Sequence, residues 1–230
     1  MGVNQPGANG IANLLNDDLM NAHLPATTSI SSSSANEVLA DIYNPAVNLA
    51  IWQRPLPGAI HAEVAALLSS QPTLKLSREV TVDNCIERLQ TELGPLAPEL
   101  YRDIQALVDM YTCLFELDAV GLRLTALDRA MCPRFHVDKG PCRLVTTYTG
   151  PASEFLDNRD VDRSKLGPGP SQDFAGGLYP STDAIFKTNS GDVCLLKGER
   201  WIDNEGQGIV RRSPQVPEEE KRLVMTLDMC

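Results

Sequence analysis

The stretch Val120-Gly121-Leu122-Arg123-Leu124-Thr125 alternates apolar and polar side chains, which puts Val120, Leu122 and Leu124 on one face of an extended strand. Immediately upstream the period is different. Leu100, Ile104, Leu107, Tyr111 and Leu114, with Val108 and Phe115 beside them, make a wide apolar stripe at helical spacing over residues 97–117. A helix apolar over that arc needs a large surface to cover, such as a sheet. From residue 119 onward the twofold period persists. Phe135 and Val137 alternate with Arg134, His136 and Asp138, and Leu223, Met225 and Leu227 alternate with Arg222, Val224, Thr226 and Asp228. Residues 144–149 are rich in β-branched and aromatic side chains, and 192–196 and 208–211 are short strand candidates. Helices first and strands afterwards predict an α+β chain, with an antiparallel sheet or barrel carrying helices on its outside.

Working outward, Leu49, Ile51 and Trp52 before Pro55 and Pro57 predict a strand over 48–53, followed by a helix over 58–70. A strand over 74–82 and a helix over 84–93 precede the long amphipathic helix. A short helix near 37–43 follows a Ser/Asn cluster suited to capping. Residues 1–35 carry no periodic apolar pattern and are read as a flexible leader. The remainder, 36–230, is read as one domain, mainly helical over 36–118 and a barrel over 119–230. A loop over 157–182, with Gly167-Pro168-Gly169-Pro170 and Gly176-Gly177, interrupts the strands.

Composition narrows the function. The 230 residues carry 20 Lys and Arg against 30 Asp and Glu, a formal charge of −10, so attraction to nucleic-acid backbones or anionic lipid is disfavoured. Hydrophobic residues make up 43%, enough for a sizeable core. No apolar run approaches the roughly 20 residues that span a bilayer, and no secretory leader pattern is visible. The expectation is a cytoplasmic protein with a small-molecule ligand and neither nucleic-acid nor membrane partners. The six cysteines show no C-x-x-C pair, which fits buried thiols better than a zinc ribbon or a disulfide framework.

Cys132-Pro133-Arg134-Phe135-His136-Val137-Asp138 carries the chemistry. Residues two apart on a strand share a face about 7 Å apart, so His136 and Asp138 can aim an imidazole and a carboxylate at one point. That pair is two thirds of a two-His-one-carboxylate Fe(II) site. On a solvated strand end, the same pair is only a surface histidine beside an aspartate. Cys132 shares the face when the strand stays extended, and a Cys/His/Asp set would favour zinc; its other reading is a structural thiol. Arg123, Arg143 and Arg222 fall on the less apolar faces of their strands. There they are candidates to capture a cosubstrate carboxylate, or else to form salt bridges at the barrel mouth. Trp201 suits either a cavity cover or a loop anchor. Nucleotide, lipase and zinc-protease motifs are absent from the sequence.

The order H-x-D, later strand, downstream Arg resembles the double-stranded β-helix enzymes that use Fe(II) and 2-oxoglutarate. More specifically, C-P-R-F-H-V-D-K at 132–139, R-L-V-T-T-Y-x-G-P at 143–151, G-E-R-W at 198–201 and R-S-P at 212–214 resemble the bacterial domain-of-unknown-function family 1826, over about residues 40–228. The resemblance implies N-terminal helices on a cupin- or jelly-roll-like double-stranded β-helix. It also implies a distal metal-ligand histidine at position 211, where this chain has Arg211. A guanidinium stays protonated and is no ordinary ligand. The remaining histidines, His23 and His61, lie far upstream. Two expectations follow: an Fe(II)/2-oxoglutarate oxygenase-like protein with an incomplete triad and a weak or vacant metal site, or a non-catalytic cupin-like protein that binds a metal or small ligand and is linked to zinc homeostasis.

Overall fold

The computed structural model describes residues 28–167 and 175–230. Its first strand is β1, Ile30–Ser33, followed by a 3₁₀ segment over Asn36–Tyr43 and by β2, Leu49–Trp52. Then come α1, Gly58–Ser70, β3, Lys75–Val80, α2, Cys85–Leu93, and α3, Pro98–Phe115. After Glu116, which turns the chain in the left-handed conformation at φ 54°, the rest is almost all strand. These are β4 (Val120–Leu127), β5 (His136–Val137), β6 (Cys142–Thr149), β7 (Glu154–Leu156), β8 (Ile185–Lys187), β9 (Val193–Lys197), β10 (Val210–Arg212) and β11 (Arg222–Met229).

Two sheets form. The larger has the order β1-β2-β9-β6-β11-β4-β3 and the smaller β5-β10-β7-β8. From β4 onward the chain crosses repeatedly between them, and every pairing among those eight strands is antiparallel. This double-sheet order is that of a jelly roll. The twofold period of β4, β6 and β11 sorts their side chains into two sets. Leu122, Leu124, Leu144, Met225 and Leu227 join Leu100, Ile104 and Leu107 of α3 in one apolar cluster. Val145, Cys194 and Leu196 on the other face meet Phe155 and Ile209. The helix stripe and one face of the large sheet thus bury each other.

Two sequence expectations need correction. A strand falls inside the flexible leader predicted over 1–35: residues 1–27 lie outside the described residues, but β1 pairs in parallel with β2 over all four of its positions. Its Ser-rich composition hid the strand, because its anchors are remote. Thr28 Oγ1 donates to Asp157 Oδ2 at 2.6 Å, and Ser29 Oγ donates to Asp157 Oδ1 at 3.2 Å. The loop expected over 157–182 holds three-residue 3₁₀ turns at Asn158–Asp160 and Arg163–Lys165, and its far end brings Leu178 and Tyr179 onto Phe135 and Val210. β7 and β8, three residues each, went unforeseen, since three residues carry no readable period. Among the described residues, no helix is long and apolar enough to cross a membrane.

Candidate functional site

His136 and Asp138 arrive at one place, as the H-x-D spacing predicts. β5 is only two residues long and lies at the edge of the small sheet, so neighbours must hold it. Gly198 and Gly208 do this by close packing. A Cβ on Gly198 would sit 2.2 Å from the Gly140 carbonyl oxygen and 2.5 Å from that of Asp138, and one on Gly208 would sit 2.4 Å from Val137 Cγ1. The Gly198 and Glu199 amides donate to the Pro141 and Asp138 carbonyls, each at 2.9 Å. Backbone contacts therefore fix the loop that presents Asp138.

His136 faces Arg211 directly across the β5–β10 pairing, while Val137 faces Val210. Val210 belongs to the outer cluster with Phe135, so Arg211 and His136 turn inward together. Arg211 grips Asp138 with two hydrogen bonds, Nε to Oδ2 and Nη2 to Oδ1, both 3.0 Å. Arg143 Nη1 donates to the same Oδ2 at 3.0 Å. Burial alone would raise the Asp138 pKa, but the charges of Arg211 and Arg143 outweigh it and hold the carboxyl below its ordinary range. His136 Nδ1 lies 2.9 Å from the Arg134 carbonyl oxygen. A carbonyl only accepts, so Nδ1 carries a hydrogen, and Nε2 lies 3.7 Å from Asp138 Oδ1.

This donor set does not fit a two-His-one-carboxylate metal site. Its third corner is a cation, and both carboxylate oxygens already accept from guanidinium groups. Among the described residues, no group of three His, Cys, Asp or Glu side chains is placed to hold a metal ion, so Cys132 does not complete one with His136 and Asp138. Cys132 is exposed at the rim of the neighbouring cavity, where its carbonyl accepts from the Ser213 amide.

That cavity, about 100 Å³, lies between the sheets, with Arg123, Arg143, Arg211 and Arg222 in its wall. Arg123 and Arg143 share Asp228: Arg123 Nη1 lies 2.5 Å from Oδ2 and Arg143 Nε lies 2.6 Å from Oδ1. Arg222 differs. It is 2% exposed, no ion pair joins it to a carboxylate among the described residues, and its Nε has no hydrogen-bond partner there. Its Nη2 donates only to neutral hydroxyls, Ser153 Oγ at 3.0 Å and Thr147 Oγ1 at 3.3 Å. Burial first and the Arg211 charge second push its pKa down to about 10. A desolvated cation without a counter-charge is costly in a fold and marks a place for an anion.

Sequence reasoning missed Asp228, Ser153 and the hydroxyl role of Thr147. Asp228 was within reach, since it shares the twofold face of Arg222 and Thr226. Ser153 belongs to no pattern. Trp201 sits outside the cavity and packs near Tyr43 and Phe115, with Lys197 Nζ 5.0 Å from its ring centre.

Comparison with solved structures finds similar folds at low identity. The dioxygenase for auxin oxidation from rice aligns at TM-score 0.46 and 11% identity, over 79% of this chain and 73% of that one. HygX from Streptomyces hygroscopicus, crystallised with nickel and 2-oxoglutarate, gives 0.44 and 10%, over 85% and 86%. A prolyl-4-hydroxylase from Pseudomonas putida gives 0.42 and 10%, over 84% and 96%. No curated protein matches. The family model for a protein of unknown function, DUF1826, matches residues 33–228, and this chain belongs to that family.

Proposed function

We propose that this chain is an oxygenase-like jelly roll that binds a small carboxylate on Arg222 inside the barrel and performs no metal-dependent oxidation. The observation that carries the reading is Arg222, a buried guanidinium whose only hydrogen-bond partners among the described residues are two hydroxyls. A carboxylate at that point would accept from the unbonded Nε and supply the missing charge. The Arg211–Asp138 pair supports the second half of the reading, because it occupies the donors that would otherwise hold Fe(II) or zinc. 2-Oxoglutarate is the first ligand to test, on the resemblance of the H-x-D and downstream Arg order to enzymes that use it. The proposed ligand-binding residue is Arg222, with Arg143 and Arg123 serving the ion-pair wall.

The competing reading is a 2-oxoglutarate/Fe(II) oxygenase. It is favoured by the register that sets position 211 opposite His136, which suits a third ligand. Calorimetry with 2-oxoglutarate in chelator, and succinate production in air with added Fe(II), separate the two. Binding with chelator present and no succinate is the expected result. Turnover above the no-enzyme background would overturn the metal-free reading, and failure of 2-oxoglutarate and of simpler carboxylates to bind would overturn the ligand assignment.

A further inference from the structure

Arg211 stands where the sequence resemblance places a metal ligand, and it brings a charge of its own. Asp138 occupies two of its five N–H donors, on Nε and Nη2. The guanidinium also lines the same cavity as Arg222, so part of its donor edge is open to whatever enters. The charge count points the same way. Of the four arginines in the cavity wall, three form ion pairs among the described residues, with only two carboxylates, Asp138 and Asp228, so the set carries an excess of two positive charges. The surplus contrasts with a chain whose overall charge is −10. A monoanion on Arg222 would leave one buried charge uncompensated, whereas a dianion would neutralise the set.

We propose that Arg211 is a tethered cation standing in for a metal, so that the cavity holds a small dicarboxylate by both ends, one carboxylate on Arg222 and the other on Arg211, without a metal ion. This rests on the carboxylate-binding reading and adds the second anchor. Asp138 is then a positioning residue: by clamping Nε and Nη2 it fixes the plane of the guanidinium and leaves the other amino group, Nη1, for the ligand. The cationic partner is built into the chain, so affinity is indifferent to divalent ions.

The test is calorimetry in chelator with glutarate and with pentanoate, which have the same number of carbons and differ by one carboxylate. Wild type is expected to bind glutarate at least about tenfold more tightly, the size of one charge-assisted contact. Arg211→Gln should bring the glutarate-to-pentanoate ratio down to about one, while Arg222→Met should lose both. Adding Ni(II) in place of chelator should change nothing. A wild-type ratio near one, or a ratio unaltered in Arg211→Gln, would overturn the second anchor and leave the Arg222 site standing. A requirement for divalent ion would overturn it as well. Failure of both acids to bind wild type at millimolar concentration would remove the underlying reading. The wild-type comparison needs no variant to fold, and circular dichroism melts check the two that are used.

Discussion

Replacing Arg211 with histidine should convert a site that repels metal into one that binds it. Two terms change together. A unit charge about 5 Å from a divalent ion costs roughly 6–7 kcal/mol at an effective dielectric near 20. Solvent and the Asp138 charge take back part of that, so about 3 kcal/mol, or two orders of magnitude in affinity, is a conservative estimate. The second imidazole then adds a third ligand across from His136, in the register that β5 and β10 already provide. The fold should survive, because Asp138 keeps its contact with Arg143. Titration of Ni(II) into chelator-stripped protein should show at least a hundredfold tighter binding in Arg211→His than in wild type. Arg211→Gln, which removes the charge without adding a ligand, should fall between them. Retention of stoichiometric metal by wild type after dialysis, or an equal affinity in the histidine variant, would refute the reasoning.

Arg222→Met should be neutral to stabilising in ligand-free protein by about 1 kcal/mol, since it removes a buried cation that no carboxylate neutralises; the melting temperature should rise by roughly 2–4 °C, and a loss above about 2 kcal/mol would count against the ligand role. Asp138 titrates below its ordinary range in the folded chain, so its contribution is complete above the unfolded value near about 4 and is lost as pH falls through the folded one. Acid melts of wild type should therefore steepen below about pH 4 relative to Asp138→Asn, and parallel curves would show that the pair contributes nothing. Gly198→Ala should cost more than about 2 kcal/mol in denaturant melts, because its Cβ meets two backbone oxygens that cannot both move away; a near-wild-type melt would mean that the loop is not held there.

The parts of this fold that were readable before the structure are those with enough residues to show a period. β4, β6 and β11 run for eight residues each, and α3 for eighteen, so their two faces can be told apart from sequence alone. β5, β7 and β8 hold two or three residues, and their existence is decided by neighbours rather than by pattern. β1 shows the same limit, since Asp157, 128 positions from Ser29, anchors the Thr28-Ser29 pair just ahead of it. In the site, the H-x-D pair was legible because its two residues are only two positions apart. The fates of Arg123 and Arg143 were not, because their partner Asp228 comes from the last strand, 105 and 85 positions on. Sequence could name three arginines, Arg123, Arg143 and Arg222, as cavity candidates; only the pairing shows that, among the described residues, Arg222 is the one left without a counter-charge.

The ion pair between Arg211 and Asp138 also acts as a cross-link. It joins segments 73 positions apart and adds a side-chain clamp to a two-residue edge strand that Gly198 and Gly208 already hold by close packing. Whatever stands at position 211 must therefore do mechanical duty as well as chemical duty. A histidine there would supply that clamp only when an ion bridged it to Asp138, leaving the Arg143 contact and the glycine packing to hold the edge otherwise. In that variant, amide exchange over residues 131–141 would speed up on stripping the metal and slow again on adding it, whereas the wild-type segment should not respond. In this chain a fixed charge tightens the grip on this edge; the substitution would hand that part of the control to the free metal concentration of the surroundings.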